Sequence, residues 1–327
     1  MSEDIDESKR GLDKRGIISA LILFFLTLLS TTLAGIDSSL PYSTELVKEY
    51  GDVGVYLCGL KFSIPLLLIL GAHEAGHFFM SRRYGIRSTP PYFIPAPYIS
   101  PFGTLGAVII MREKIADKRI LFDIGAAGPY AGLIVGLPFL VFGIHLSDVV
   151  DFSTLNEGLI FVEGDSILYY ILKLVIHGRL AGGKDILTHP FAMAGWFGMF
   201  ITALNLLPVG QLDGGHIAYA IWGRGAHKLA GIIYRSFWAL GIAGTFNYLL
   251  GELEILDRNE YLDVMAGWLL WALIIKFAIG VYHPPVGGEE EPLDRARVVL
   301  GVIAIIVMFL TFPPIPLRII EANALSL

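Results

Sequence analysis

The chain has 327 residues, of which 54% are apolar and only 17% are charged, and its formal net charge is −6. Soluble domains carry about 25% charged residues, so this composition indicates a membrane protein and excludes an ordinary soluble domain. The single cysteine, Cys58, excludes intrachain disulfides and cysteine-rich metal sites. No nucleic-acid partner is expected.

Apolar segments long enough to cross a bilayer, about 20 residues each, recur along the chain. They predict an all-α polytopic membrane protein with about six to seven transmembrane helices. The predicted spans are Ile17–Gly35, Val55–Met80, Ile120–Gly143, Phe191–Leu207, Leu229–Leu250, Val264–Val281 and Val298–Thr311. The first is interpreted as a retained anchor, with a cleaved signal peptide as the alternative. The segment Ile167–Ile176 is too short to span and is expected at the interface or packed against the bundle.

Basic residues occur in alternate loops between these spans. Lys14 precedes the first span, Arg82 and Arg112 lie between the second and third, Arg224 precedes the fifth and Arg295 precedes the seventh. The remaining loops are rich in acidic residues. By the positive-inside rule the basic loops and the N-terminus are cytoplasmic. We therefore expect a multi-pass protein of the lipid bilayer. Its expected location, the cytoplasmic membrane of a prokaryote, assumes a prokaryotic host.

The motif His73-Glu74-Ala75-Gly76-His77 lies near the end of the second predicted span. On a helix this spacing puts both imidazoles on one face, one turn apart, where they can bind one zinc ion. Glu74 then points towards the open position of the metal, where it can take a proton from water. Ionisable groups inside a membrane span are costly and indicate a functional site. The alternative is a set of buried polar residues that bond to other helices.

A second motif, Asn205 to His216, follows the fourth span, which runs from outside to inside. Its carboxylate, Asp213, thus reaches the same side as the two imidazoles and is a candidate third metal ligand, with a helix cap as the alternative. Pro208 and Gly210 interrupt the helix, which is tolerated only in a protein-lined or wet cavity. Asn205 is a candidate donor to an oxyanion, or else an interhelical hydrogen bond. His216 is expected to cap or support the site, because a catalytic zinc keeps one position open.

The loop after the second span is apolar and punctuated by proline and glycine. Residues Thr89–Pro97 and Gly103–Met111 are rich in β-branched and aromatic types. They predict a small β element, a hairpin beside the site whose edge can pair with an unwound substrate, with a simple capping loop as the alternative. The other histidines fall at helix ends or in loops and are expected to be solvated. They are His145, His177, His189, His227 and His283.

The two motifs together, His73-Glu74-x-x-His77 and Asn205-x-x-Pro208-x-x-x-x-Asp213-Gly214, resemble those of the site-2 protease family of intramembrane zinc metalloproteases. The resemblance covers roughly 66–222. Neither of the loops that would hold an inserted PDZ domain is long enough, so the chain is similar to members without one.

This resemblance implies one Zn²⁺ per chain, held by His73, His77 and Asp213, with Glu74 as the general base. It implies membrane-spanning protein substrates, cleaved near the cytoplasmic side in regulated intramembrane proteolysis. Gly103 would belong to the counterpart of a Gly-x-Leu-like element and would contact the substrate or the oxyanion.

The expected organisation has three parts. Residues 1–54 hold the N-terminal cytoplasmic segment, the first helix and an external loop; 55–225 form the catalytic core with the zinc site; 226–327 hold accessory C-terminal helices. Two other functions stay open at this point. A divalent-metal transporter would place polar residues along a path through both leaflets. A catalytically silent relative would keep the metal site without hydrolysis.

Overall fold

The structure is a computed structural model that describes residues 14–115, 117–151, 159–180, 183–257, 259–287 and 292–321, with the side chains of 37–46, 159–161, 260 and 318–321 left out. The predicted cytoplasmic segment at 1–13 lies outside the described residues. The elements in chain order are α1 (Lys14–Tyr50), α2 (Asp52–Arg83), β1 (Tyr92–Pro95), β2 (Thr104–Val108), α3 (Lys118–His145), β3 (Asp148–Asp151), β4 (Leu159–Glu163), α4 (Ile167–His177), β5 (Lys184–Leu187), α5 (Pro190–Asn205), α6 (Asp213–Trp222), α7 (Ala226–Glu252), α8 (Glu260–Asp263), α9 (Gly267–Ile274), α10 (Arg295–Thr311) and β6 (Leu317–Glu321).

Five helical segments among the described residues are long and apolar enough to cross a membrane. They are Lys14–Ile36, Asp52–Arg83, Lys118–His145, Asp213–Glu252 and Tyr261–Ile279. They correspond to the first, second, third, fifth and sixth predicted spans, so the polytopic helical fold is confirmed. The fourth and seventh predicted spans form the shorter helices α5, of 16 residues, and α10, of 17 residues. A 16-residue helix is about 24 Å long, which is less than the hydrocarbon core of about 30 Å.

The centre of the bundle is formed by α2, α3, α5 and α6. The α5 segment Ala192–Phe200 is buried throughout, which explains its almost wholly apolar sequence. At its C-terminal end α5 opens into an irregular turn at 206–212, from which α6 begins. The helices approach closely where small residues face each other: a Cβ on Gly76 would lie 2.3 Å from the carbonyl oxygen of Ala127. The irregular turn between α5 and α6 is thus enclosed by packed helices, as non-helical backbone at membrane depth requires.

Strands β1 and β2 form an antiparallel hairpin between α2 and α3, which confirms the predicted β element. Tyr92 pairs with Val108, and the register shifts by a bulge before Pro95. The tip of the hairpin is fastened to α1, because the Ser30 hydroxyl donates to the Gly103 carbonyl oxygen at 2.6 Å. One edge of β2 is bonded to β1, and its other edge has no strand partner among the described residues.

At the opposite end of the bundle, α4 and two short sheets cover the N-terminal end of α5. Strand β3 pairs with β5, and β4 pairs with the C-terminal strand β6. Trp196 of α5 donates from its indole to the carbonyl oxygen of Gly164 at 2.9 Å. Lys173 of α4 bonds to Asp165 at 2.8 Å and to Asp185 at 3.0 Å. Helix α4 is therefore packed against the bundle, as expected, whereas the two sheets are not apparent in the sequence.

Candidate metal centre and active site

Helices α2 and α6 bring two imidazoles and one carboxylate together. His73 Nε2 lies 3.1 Å from Asp213 Oδ2, His77 Nε2 lies 3.3 Å from Asp213 Oδ1, and the two Nε2 atoms lie 3.2 Å apart. One ligand atom from each residue lies within 4.8 Å of the others. The loop geometry after α5 thus places a residue 140 positions away from His73 at the same depth.

The protonation of these groups favours a cation between them. His77 Nδ1 donates to the carbonyl oxygen of Ile124 at 2.7 Å, which leaves a lone pair on Nε2 of the neutral ring. That lone pair faces a carboxylate and a second imidazole. His73 Nδ1 is the buried side-chain polar atom without a hydrogen-bond partner in the described part of the chain. Converging acceptors at such distances repel each other unless a positive ion lies among them.

The spacing of the donor atoms is close to that of a zinc site. Zinc binds histidine nitrogen at about 2.0–2.1 Å in a tetrahedron, so neighbouring ligand atoms should lie about 3.3 Å apart. The two Nε2 atoms lie 3.2 Å apart, and they lie 3.1 and 3.3 Å from the two different carboxylate oxygens of Asp213. With one atom from each residue, the three donors lie within 4.8 Å of one another. Gly128 lies against the His77 ring, where a Cβ would be 2.0 Å from Nε2, so a larger residue there would displace this ligand atom. Three protein ligands leave the fourth position open, which is typical of a catalytic site.

Glu74 lies where two cavities meet. The first, of about 220 Å³, is lined by polar side chains that include Glu74, Gln211 and His216. The second, of about 420 Å³, is mostly apolar and lies between the hairpin, α5 and α9. The Glu74 side chain is buried and lines both cavities. A carboxylate at this junction is placed to exchange a proton with a water molecule that reaches the polar cavity.

Of the two further candidates, only Asn205 is brought to this site. Its Nδ2 atom lies 3.4 Å from His73 Nε2, and the residue lines both cavities. Gly103 lies instead at the hairpin tip against α1. Its amide donates to the Ser100 carbonyl at 3.0 Å, and its own carbonyl accepts from Ser30. Because this amide hydrogen is already bonded, it is not offered to a substrate oxyanion.

Two histidines that were expected to be solvated are buried, so the expectation is wrong for His189 and His283. His283 is 6% exposed and His189 is 8% exposed. His283 also hydrogen bonds to His216, which lines the polar cavity. These two residues are 67 positions apart, and no local pattern in the sequence connects them.

The two imidazoles and one carboxylate, enclosed by membrane-spanning helices, define a membrane protein with a buried candidate metal centre. The chain belongs to peptidase family M50, whose family model matches residues 61–243. The match includes both motifs and ends before α9 and α10.

Curated relatives agree with this family. The chain is 30% identical to the probable zinc metalloprotease EGY2, chloroplastic, of Arabidopsis thaliana, over 84% of this chain and 45% of that protein. It is 30% identical to the probable zinc metalloprotease EGY1, chloroplastic, of Oryza sativa subsp. japonica, over 69% of this chain and 42% of that protein. To EGY1 of Arabidopsis thaliana it is 26% identical, over 91% of this chain and 53% of that protein. The chain thus spans about half the length of the curated relatives it matches. No solved structure matches it.

Proposed function

We propose that this chain is an intramembrane zinc metalloprotease that hydrolyses peptide bonds of membrane-spanning proteins near the cytoplasmic side. The observation that carries the proposal is the convergence of His73, His77 and Asp213 beside Glu74, where a polar and an apolar cavity meet. Family M50 membership and relatives named as probable zinc metalloproteases support it.

Each residue of the site has a distinct task in hydrolysis. His73, His77 and Asp213 would hold the zinc ion, which, when bound, supplies Lewis acidity for water activation and carbonyl polarisation. Glu74 accepts the proton of the attacking water on its carboxylate and returns it to the leaving amine. Asn205 directs its amide donor towards the developing oxyanion. The Ile124 carbonyl fixes the ring orientation of His77 through its Nδ1 hydrogen.

The free edge of β2 supports an extended substrate. Residues Leu105 to Val108 line the apolar cavity, and this edge has no strand partner in the described chain. The Thr104 hydroxyl already bonds to the amide and the carbonyl oxygen of Gly106. Any other backbone group of this edge that lacks a partner in an apolar environment is costly, so an added strand stabilises the edge. A substrate helix must unwind before its amides can be attacked, and pairing with β2 offers the unwound segment hydrogen bonds.

The membrane orientation is part of the same proposal. Arg82 at the end of α2, Arg112 in the loop before α3 and Arg295 at the start of α10 lie at the end of the bundle that holds the site. By the positive-inside rule this is the cytoplasmic end. The N-terminus would lie on this side. The prokaryotic cytoplasmic membrane stays a proposal, since the relatives named above are chloroplastic. Exposed apolar side chains on the spans, such as those of Phe25 and Ile134, face the lipid bilayer in this arrangement.

The test is hydrolysis of a single-span model substrate by the purified protein in detergent, with the bound zinc counted per chain. The variant is Glu74→Gln, and the matched control is Glu113→Gln, the same change at an ion-paired glutamate outside the site. We expect one zinc in all three proteins and a rate about 10²–10⁴-fold lower for Glu74→Gln alone. Fragment masses should place the cut in the half of the substrate span that is nearer the cytoplasm.

Two results would contradict the proposal. A wild-type protein without bound zinc, also after reloading, would favour the transporter. Zinc in every protein with no cleavage of any single-span substrate would favour a catalytically silent relative.

A further inference from the structure

Helix α6 begins without a side-chain cap of its own. Leu212 precedes its first residue and makes no side-chain cap hydrogen bond. Asp213 is that first residue, so the metal ligand lies at a helix end that only backbone contacts fix locally, such as the bond from the His216 amide to the Leu212 carbonyl oxygen. Contacts between the first turn of α6 and distant parts of the fold therefore contribute to its position.

Part of that support comes from the segment that follows α9. The Gly210 amide, just before α6, donates to the carbonyl oxygen of Val281 at 3.1 Å. Gly210 also approaches Gly280 so closely that a Cβ on Gly210 would lie 1.8 Å from the Gly280 carbonyl oxygen. The turn that leads into Asp213 is thus held by a chain segment some 70 residues away.

A histidine pair makes the second connection. His216, one turn after Asp213, places its Nδ1 atom 2.8 Å from Nε2 of His283. His283 Nδ1 lies 2.6 Å from the carbonyl oxygen of Pro284, which can only accept, so this nitrogen carries the hydrogen. In the neutral ring Nε2 of His283 is then the acceptor, and His216 Nδ1 is the donor. The pair is therefore a directed hydrogen bond with one arrangement of its hydrogens.

Both members of the pair are held firmly. The His283 ring stacks on Tyr219 of α6, with ring centroids 4.5 Å apart. The backbone carbonyl oxygen of His283 accepts from His227 Nε2 at 3.1 Å. On the other side of α6, Gly125 of α3 lies against His216, where a Cβ would be 2.8 Å from the His216 Cβ. Because His283 is buried, these contacts are shielded from competing water.

We propose that His283 is a positioning residue that acts through His216 to hold the first turn of α6, so that Asp213 meets His73 and His77. The proposal rests on the proposed function, because Asp213 is taken there as a zinc ligand. His283 lies beyond the residues that the family model matches. Outer groups that orient metal ligands contribute about 10–100-fold to metal affinity, and we expect His283 to contribute in this range.

The test separates the hydrogen bond from the ring packing. His283→Phe keeps a ring over Tyr219 but removes the acceptor, whereas His283→Gln keeps an acceptor oxygen. Zinc affinity is measured by competition with a chelator, and ligand geometry by the visible spectrum of the Co²⁺-substituted protein. We expect about 10–100-fold weaker zinc binding and altered cobalt bands in His283→Phe. His283→Gln should restore both towards wild type.

The matched control is His177→Phe, which removes a histidine that bonds to the Ile144 carbonyl at the other end of the bundle. It should leave zinc affinity and the cobalt spectrum unchanged. Gel filtration and a thermal unfolding midpoint establish that each variant is folded. If His283→Phe does not fold, the comparison moves to the other end of the bond: His216→Asn keeps a donor and His216→Leu does not.

Two results would overturn the role of His283. One is wild-type metal affinity and an unaltered cobalt spectrum in a folded variant without the hydrogen bond. The other is a loss of zinc affinity in His283→Gln, which keeps the hydrogen bond, that is as large as the loss in His283→Phe, which lacks it. Failure of the wild-type protein to bind metal is a different result, since it would overturn the proposed function together with this inference.

Discussion

Among the described residues, a polar cluster lies at each end of α5, and the two clusters differ in their hydrogen-bond donors. The metal-ligand group, His73, His77 and Asp213, lies at the C-terminal end. The second, here named the Glu163 cluster, lies at the N-terminal end and comprises Glu163, Tyr169 and Thr188. Both contain a carboxyl group with little exposure, 13% for the Asp213 side chain and 8% for Glu163, so burial alone does not indicate which cluster is a functional site.

In the Glu163 cluster two hydroxyl donors meet one carboxyl oxygen. The Tyr169 hydroxyl donates to the Glu163 carboxyl at 2.5 Å, and the Thr188 hydroxyl donates to the same oxygen. In the metal-ligand group a carboxylate and an imidazole lone pair converge instead, and one ring nitrogen of His73 is buried without a partner. A cluster whose donors and acceptors bond to each other stabilises the fold. A cluster of converging acceptors is destabilising until a cation binds between them. The two clusters should therefore respond in opposite ways to loss of their carboxyl groups.

The largest expected effect is that of Asp213→Asn on metal binding. Zinc affinity should fall by more than about 100-fold. This exceeds the loss of about 10–100-fold that is typical when a group that only orients a metal ligand is removed. In the presence of a chelator, however, the thermal unfolding midpoint should not fall, because the asparagine amide donates to an imidazole nitrogen and relieves the repulsion. Chelator competition and thermal unfolding in detergent measure the two quantities.

Asp185→Asn is the control for this change, since Asp185 bonds to Lys173 far from the metal ligands. It should keep wild-type zinc affinity. Wild-type zinc affinity in Asp213→Asn itself would show that Asp213 is not a ligand, and the contrast between the clusters would then disappear.

A smaller effect, on stability and not on metal, is expected for Glu163→Ala. The Tyr169 and Thr188 hydroxyls lose their acceptor inside the protein, which costs about 1–3 kcal/mol of the free energy of unfolding. Zinc affinity should stay at the wild-type value. Unfolding in mixed micelles at increasing denaturant measures the loss, and Glu163→Gln, which keeps an acceptor, should lose less. Equal stability of Glu163→Ala and wild type would show that the cluster contributes nothing.

The metal-ligand group was open to prediction because its signals are local or topological. His73 and His77 share one helical turn, and Asp213 follows from the order of the spans and the charges of their loops. The structure brings these residues together as expected, and Asn205, the candidate oxyanion donor, lies beside them. These inferences needed only the helical period and the number of membrane crossings.

The features that the sequence did not predict depend on contacts between distant segments, and no periodic pattern in the sequence indicates such contacts. The sequence places Glu163 in an acid-rich loop and predicts a solvated charge. In the structure it is buried, and the Tyr169 and Thr188 hydroxyls donate to its carboxyl group. The position of His283 after a helix end predicts an exposed side chain, but in the structure it forms a hydrogen bond with His216. The motif of Gly103 predicts a substrate contact, but it does not predict that the Gly103 carbonyl oxygen accepts from Ser30 of α1. Hydrogen-bond partners of this kind appear only once the helices are packed.

The smallest expected effect is a pH dependence confined to the Glu163 cluster. Burial raises the pKa of the Glu163 carboxyl above its ordinary value of 4.5, against the opposing hydrogen bonds from Thr188 and Tyr169 and the charge of Lys173. A group whose pKa is higher in the folded state stabilises that state below its unfolded pKa, and this contribution is lost as the pH rises through the folded pKa. Glu163→Gln does not titrate. The wild-type thermal midpoint, measured relative to that of Glu163→Gln, should therefore decline as the pH rises above 4.5. A rise over the same range would mean that Lys173 and the hydroxyl donors stabilise a charged carboxylate, and the effect of burial on Glu163 would then be the smaller one.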